Sequence, residues 1–179
     1  SSDVCSSDLL DLATIDMRSL VAAQVTDLED IAQQSGTSLH FHANDDMVLV
    51  EADGRRIVRI VRNLIVNAIE HSEGKPVDIT VAATNDAVSV GVRDYGQGIP
   101  RENWDSVFSR FWRADPSRRR TLGGTGLGLA IANDDAHLHG GMIELWGSVG
   151  RGAHFVLTLP CAPDQPFEAP AIEVEVADA

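Results

Sequence analysis

The sequence has few basic residues for its size. Only 14 lysines and arginines stand against 27 aspartates and glutamates, which gives a formal net charge of −13. Such a surface lacks the cations that neutralise nucleic-acid phosphates, so we expect no nucleic-acid partner. The same overall charge repels anions, so an anionic ligand would need a local binding site.

Long apolar runs and cysteines are also scarce. No stretch approaches the roughly 18 uninterrupted apolar residues of a membrane-spanning helix, so we expect this segment not to cross a bilayer. The first residues do not form a basic-then-apolar signal peptide. Cys5 and Cys161 have no metal-ligand spacing and leave the redox compartment undecided.

The two ends differ in character from the middle. Residues 1–9 lack a hydrophobic period and resemble one reading frame of a sequencing adapter, which predicts a non-native segment with the true protein continuing upstream. Residues 162–179 combine three prolines with acidic residues and no basic one, a composition that predicts a disordered tail. The predicted folded domain is 10–161.

Hydrophobic periodicity predicts three helices and six strands in this domain. The predicted helices are Met17–Gln34, 54–71 and 126–139. The predicted strands are 39–42, 48–51, 77–81, 88–92, 142–146 and 154–159. Amphipathic helices with alternating strands predict two layers, with helices on one side of a mixed sheet and a more solvated opposite face.

The second predicted helix carries a polar stripe. Asn63 and Asn67 are four residues apart, so they share a face, and Arg59 and His71 lie on the same stripe. Asparagine is a mediocre helix former, so this pair within an apolar run needs an explanation. The stripe is either ordinary polar surface or a set of neutral oxygen ligands suited to Mg²⁺.

The segment Asp94–Ile99 follows an alternating strand and contains two glycines. Gly96 and Gly98 permit a tight backbone and the close approach of a ligand. A carboxylate at Asp94 could accept a hydrogen bond from the exocyclic amine of adenine and would repel the carbonyl of guanine. An ordinary turn is the alternative.

A glycine-rich run, Gly123–Leu129, leads into the third predicted helix. Glycines there would leave room for phosphate at a helix N-terminus, where free N–H groups favour anions. The run is not a P-loop, because no Gly-Lys-Ser/Thr follows. It also lacks the preceding strand of a dinucleotide-binding fingerprint. A glycine hinge is the alternative.

An arginine-rich stretch lies between these two segments. Phe108, Phe111 and Trp112 stand beside five arginines, at positions 110, 113, 118, 119 and 120. In so acidic a chain, this cluster could neutralise a triphosphate, and long loops of this kind often form lids. A solvated basic loop is the alternative.

In their order and spacing, the four segments resemble the N, G1, F and G2 boxes of the histidine kinase catalytic domain, a member of the family shared with Hsp90, MutL and type II topoisomerases. The matching segments are Asn63–Ala68, Asp94–Gly98, Phe108–Arg113 and Gly124–Leu129, with Gly150–Phe155 similar to the closing glycine turn and strand. The similarity covers about residues 12–160, and Arg93–Gly96 and Phe108–Arg118 are most similar to actinobacterial sensor kinases of the Mtr type.

This resemblance implies the Bergerat ATP-binding fold: an α/β two-layer sandwich with a mixed, mostly antiparallel sheet, three helices on one face and a flexible ATP lid. It implies ATP and Mg²⁺ as cofactors. The resemblance implies that Asn67 ligates Mg²⁺ with the support of Asn63, that Asp94 binds the adenine amine, and that His71 flanks the base. It implies that Gly96, Gly98 and Ile99 line the pocket and that Arg110 and Arg113 lie near the phosphates. The residues implied for the lid hinge and the phosphate end are Gly124, Thr125, Gly126, Leu127 and Gly128.

Family members transfer the γ-phosphate of ATP to a histidine on a dimerisation domain, and then to an aspartate of a response regulator. The resemblance therefore implies these two partners, and a parent protein that is homodimeric and membrane-anchored with this domain on the cytoplasmic side. The chain has no phospho-acceptor box, and His40 and His42 are interpreted as strand-surface residues. We therefore expect that the fragment does not phosphorylate itself.

Glu70 and His71 depart from the lysine and tyrosine of many relatives, which would remove one phosphate contact. Three other functions are alternatives to a histidine kinase. An ATP hydrolase of the Hsp90 or MutL kind would carry a glutamate base where this chain has Asn63. A non-catalytic nucleotide-binding module is disfavoured by the intact glycines and Asp94. A serine kinase of the anti-sigma type fits Phe108–Arg113 less well.

Overall fold

The structure, a computed structural model, describes residues 9–113 and 125–175. The adapter-like segment falls outside this range except for Leu9, and so do Gly124 and the predicted lid arginines at 118–120. The helices are α1 (Met17–Gln34), α2 (Gly54–His71) and α3 (Gly128–Leu138). The strands are β1 (Ala13–Asp16), β2 (Leu39–Ala43), β3 (Leu49–Ala52), β4 (Val77–Ala83), β5 (Ala87–Asp94), β6 (Met142–Ser148) and β7 (Gly152–Pro160).

Side-chain caps fix where the two long helices begin. The carboxylate of Asp16 accepts a hydrogen bond from the Arg18 amide at 3.2 Å, which satisfies one free donor of the first turn of α1. Asp53 does the same for α2 through the amides of Arg55 and Arg56. The predicted bounds of α1 and α2 are confirmed, whereas α3 begins two residues later than predicted.

Five strands form one mixed sheet in the order β2-β4-β5-β7-β6. Only the β2–β4 pair is parallel, and the other three pairs are antiparallel. The predicted mixed, mostly antiparallel sheet with three helices is thus confirmed. β1, for which no strand was predicted, pairs antiparallel with β3 in a separate two-stranded sheet.

The core lies between the helices and one face of the sheet. Ile57 and Leu64 of α2 are fully buried against Ile79 of β4 and Leu157 of β7. Side chains at alternate positions along β4 and β5 point into this layer because successive strand residues face opposite sides. Within the described residues, no helix is both long and apolar enough to cross a membrane.

Residues 162–175 cross the opposite face of the sheet. The Ala171 amide donates to Ser89 Oγ at 2.9 Å, and Ile172 packs beside Gly91. Glu175 Oε1 accepts from Arg93 Nε at 2.8 Å. β5 is consequently buried along its whole length, on both faces. Residues 162–175 are therefore packed, in contrast to the disordered tail that their composition predicted. A few specific contacts with β5 hold this segment, and average composition does not reveal them.

The Arg93–Glu175 ion pair gives a test of this packing. Glu175→Gln is expected to lower the free energy of unfolding by about 0.5–1 kcal/mol at low salt, because Arg93 is nearly buried but the Glu175 side chain is 43% exposed. Thermal unfolding at low and high salt measures the effect, which salt should reduce. Glu173→Gln, at an exposed neighbouring position, is the control and should change nothing. Equal stability of both variants would contradict the contact.

Candidate functional site

Asp94 is a buried carboxylate at the end of a central strand. It is the last residue of β5 and is 2% exposed. Its backbone partner across the sheet is Ala153 of β7, and its Oδ1 accepts a hydrogen bond from the Gly96 amide at 3.0 Å. The strand therefore holds the acid at a fixed place at the edge of the helical layer.

Burial dominates the electrostatics of this acid. Loss of hydration raises the pKa of Asp94 to about 6, although the Gly96 amide and the Arg93 guanidinium favour the charged form. Near neutral pH the group is thus an ionised hydrogen-bond acceptor in a poorly hydrated place. Perturbed acids of this kind are typical of functional sites.

The loop after Asp94 packs against the C-terminal end of α2. The Gln97 amide donates to the carbonyl of His71 at 3.2 Å. The side chain of Gln97 also meets His71 Nδ1 at 2.8 Å. A Cβ atom added at Gly96 would lie 1.7 Å from the carbonyl oxygen of His71, so only glycine allows this approach. The structure thus brings His71 to the Asp94 loop.

Gln97 was not among the predicted site residues. It orients the His71 ring from one side and accepts from the Gly150 amide with its own carbonyl at 2.8 Å. A polar side chain between two glycines of a tight loop was the available sequence signal.

The β6–β7 turn closes the other side of this loop. Gly98 has φ +75° and lies so close to the turn that a Cβ atom there would be 1.8 Å from the Ser148 carbonyl oxygen. Ile99 packs partly buried against the core, close to Gly147, and its carbonyl accepts from Trp104 Nε1 at 3.2 Å. The predicted Asp94–Ile99 segment is therefore a loop clamped between α2 and the β6–β7 turn.

The two asparagines of α2 have different surroundings. Asn63 Nδ2 donates to the carbonyl of Gly128, the first residue of α3, at 2.9 Å. Asn67 is half-buried one turn further along. Within the described part of the chain, its side-chain amide makes no hydrogen bond. Asn63 thus joins α2 to the start of α3, and the Asn67 oxygen is available to a ligand.

Phe108 and Trp112 attach the arginine-rich stretch to the core, whereas the Phe111 side chain is 70% exposed. Phe108 packs edge-on against Phe155, with 6.1 Å between ring centroids. The Phe111 amide donates to the carbonyl of Gly126 at 3.0 Å, which brings the predicted F and G2 segments together. Arg110 forms an exposed ion pair with Asp134 of α3 at 3.3 Å. Arg113 and Thr125 border the undescribed residues 114–124, and Leu127 directly precedes α3.

His40 and His42 lie on β2, where His40 Nδ1 and His42 Nε2 approach Oδ1 of Asp78 at 3.4 and 3.1 Å. Their side chains are about half exposed, in agreement with their interpretation as strand-surface residues. β2 is an edge strand of the five-stranded sheet, and neither histidine lies on a helix, where a phospho-acceptor histidine would be expected.

Comparison with known proteins agrees with this geometry. Residues 52–163 match the family model of histidine kinase-, DNA gyrase B-, and HSP90-like ATPases. Sensor histidine kinase MtrB of Mycobacterium tuberculosis (strain H37Rv) is 50% identical over 151 residues, which cover 84% of this chain and 27% of MtrB. Sensor-like histidine kinase SenX3 of Mycolicibacterium smegmatis is 36% identical, covering 87% of this chain and 41% of SenX3. This chain therefore spans less than half the length of these relatives.

Solved structures show the same fold. The catalytic domain of histidine kinase ThkA matches with a TM-score of 0.75 at 28% identity, covering 86% of this chain and 98% of that domain. Full-length ShkA in complex with AMPPNP matches with a TM-score of 0.73 at 26% identity, over 90% of this chain and 33% of ShkA. The chain belongs to the family of histidine kinase-, DNA gyrase B- and HSP90-like ATPases, and within it is homologous to the catalytic domains of sensor histidine kinases.

Proposed function

We propose that this chain binds ATP with Mg²⁺ and transfers the γ-phosphate to a histidine on the dimerisation domain of its parent sensor kinase, for relay to a response regulator. The observation that carries this proposal is Asp94. An ionised acceptor, 2% exposed and held against the Gly96 amide, is suited to the exocyclic amine of adenine. Gly96, Gly98 and Ile99 would line the base, with His71 at its flank.

Asn67 fits the part of the Mg²⁺ ligand. Mg²⁺ takes oxygen ligands and keeps several waters and substrate phosphates, so one neutral amide oxygen from the protein suffices. Asn67 offers such an oxygen on the polar stripe of α2, one turn beyond the contact between Asn63 and Gly128. The bound ion would supply charge neutralisation at the transferring phosphoryl group.

The phosphates would lie toward the start of α3. Gly126, Leu127 and Gly128 precede or begin this helix, whose first amide groups favour anions. Arg110 is held on the surface by Asp134, and with Arg113 it stands beside the undescribed loop. These two cations would offset the negative charge of the triphosphate within an acidic chain.

Transfer to a partner is favoured over hydrolysis by the state of Asn63. A neutral amide is a poor general base, and its NH₂ group is already donated to the Gly128 carbonyl. In phosphoryl transfer the protein mainly positions the reactants and stabilises the charge of the transferring group, so the nucleophile can come from another domain. The proposed parent is a membrane-anchored homodimer with this domain on the cytoplasmic side, as the family resemblance implies.

The test is phosphotransfer in trans. The full chain is incubated with γ-labelled ATP and Mg²⁺, together with the separately produced histidine-bearing dimerisation domain of MtrB from M. tuberculosis. We expect label on that domain which is lost in acid and kept in base, as a phosphoramidate requires. Asn67→Ala should abolish transfer and the Mg²⁺ dependence of AMPPNP binding measured by calorimetry.

Two controls make the result specific. Asn85→Ala, at an exposed turn at the opposite end of β5 from Asp94, should transfer normally. The acceptor domain with its histidine replaced by glutamine should take no label. Release of free phosphate without an acceptor would favour a hydrolase, and a complete absence of nucleotide binding would favour a non-catalytic module.

A further inference from the structure

A buried ionic contact joins α2 to α3. Asp135 lies in the second half of α3, and its side chain is 2% exposed. Arg56 Nη1 donates to Asp135 Oδ1 at 2.8 Å. Arg59 donates through Nε to Oδ2 at 2.7 Å and through Nη2 to Oδ1 at 2.8 Å, so it holds both carboxylate oxygens.

Further hydrogen bonds extend this contact at both ends. His139, 1% exposed, accepts from the Asp53 amide through Nε2 at 3.0 Å. A backbone N–H can only donate, so the ring proton is on Nδ1, which donates to the Asp135 carbonyl at 2.7 Å. At the other end, Asn63 binds the Gly128 carbonyl. We call this set the α2–α3 ladder: residues 53, 56, 59 and 63 against residues 128, 135 and 139.

The ladder fixes how the two helices lie along each other. Its contacts run in opposite order along the two helices, so α2 and α3 are antiparallel. The face of α3 that packs into the core carries the small residues Ala132 and Ala136. Such small side chains do little to prevent α3 from shifting along its axis relative to α2. A buried carboxylate, in contrast, is tolerated only where its partners meet it. The ion pair therefore specifies one register, which the apolar packing alone does not.

We propose that Asp135 is a positioning residue for the nucleotide site, acting through Arg56 and Arg59. Asp135 fixes the register of α3 relative to α2 and so maintains the hydrogen bond from Asn63 to the Gly128 carbonyl. The start of α3 then stays packed against the turn of α2 that precedes Asn67. The base end of the site has different supports, because the Asp94 loop is clamped by His71 and by the β6–β7 turn. This inference rests on the proposed function, in which the start of α3 receives the phosphates.

The test separates the two ends of the site. In the full chain, Asp135→Asn keeps the shape of the side chain and removes the charge that pairs the two arginines. We expect affinity for AMPPNP with Mg²⁺ to fall about tenfold or more, because the phosphate end is misplaced. Adenosine affinity, followed by NMR at the Gly96 amide, should stay within about twofold. Both titrations are made well below the unfolding midpoint of the variant.

Leu28→Ala is the matched stability control. Leu28 is a fully buried residue of α1 outside the ladder, so its truncation should lower the unfolding midpoint and leave both affinities unchanged. Should Asp135→Asn fail to fold, Arg59→Lys keeps the charge but loses the two-point grip, and should show the same selective loss to a smaller degree.

The possible results are distinct. Selective loss of AMPPNP affinity supports the positioning role. Unchanged affinities, or equal loss of adenosine and AMPPNP, overturn it while leaving the proposed function intact if the wild type binds. Failure of the wild type to bind either ligand overturns the proposed function and the inference together.

Discussion

Asp94→Asn should lower the affinity for AMPPNP by at least about a hundredfold, because a buried donor would then face the amine of adenine. The Gly96 amide holds Oδ1 of Asp94, so asparagine should keep its oxygen there and turn its NH₂ group toward the ligand. Two donors would meet, and neither could find water in so buried a place. Calorimetric titration of the full chain measures the loss.

The free protein should respond in the opposite direction. Burial raises the pKa of Asp94 to about 6, so folding disfavours its charged form. Asparagine removes that charge, and the free energy of unfolding at pH 7 should rise by up to about 3 kcal/mol, the equivalent of the displacement of the pKa. A variant that is more stable yet binds no nucleotide would identify Asp94 as a residue kept for binding. A variant that is less stable would contradict this account.

The raised pKa of Asp94 also predicts how stability and nucleotide affinity depend on pH. The pKa in the folded protein lies above the ordinary value of an aspartate, so the contribution of this group to stability grows as the pH falls from about 7 toward 4. Nucleotide binding requires the ionised form, so affinity should be about tenfold weaker at pH 5 than on its plateau above pH 7. Asp94→Asn is the control, since any pH dependence that remains in the variant belongs to the nucleotide or to other groups.

Local patterns made the long helices and the central strands predictable. α1 and α2 have strong apolar periodicity and begin after Asp16 and Asp53, whose carboxylates cap them. β4 and β5 alternate cleanly. β1 was missed because four residues without alternation carry no local signal. Its formation depends on β3, which lies more than thirty residues away in sequence and supplies the partner hydrogen bonds.

Part of the candidate site is also described by a local pattern. Asp94 ends β5, and Gly96 and Gly98 lie in the loop that follows, so a short sequence motif describes their arrangement well. The family resemblance implied that His71 lies beside the base, whereas the contact between Asn63 and Gly128 was not predicted. Nothing in the spacing of the residues alone specifies that α2 lies against both segments.

The buried position of Asp135 was not evident from the local composition. Residues 133–135 read as a polar stretch of α3, typical of a solvated face. Asp135 instead follows Ala132 by three residues and precedes His139 by four, which places all three on the buried side. A polar residue in an apolar stripe was thus the available signal. Of its two arginine partners, Arg59 was assigned only to the polar stripe of α2.

Gly96→Ala should be the most destabilising of these substitutions. The added Cβ would lie 1.7 Å from the His71 carbonyl oxygen and 2.7 Å from the Ser72 Cα, so backbone and not a flexible side chain must move. Overpacking of this kind should cost about 3 kcal/mol or more and lower the unfolding midpoint by roughly 6–12 °C. Thermal unfolding without nucleotide measures it.

The control for this effect is Gly54→Ala at the start of α2. A Cβ atom there would meet only Ile15, at 3.8 Å, and alanine is the better helix former, so stability should be unchanged or slightly higher. The contrast matters for function because the loop of Gly96 can hold Asp94 only while it lies flat against the end of α2. If Gly96→Ala unfolded like the wild type, the clamp between α2 and the Asp94 loop would be looser than this geometry requires. The base end of the site would then need another support.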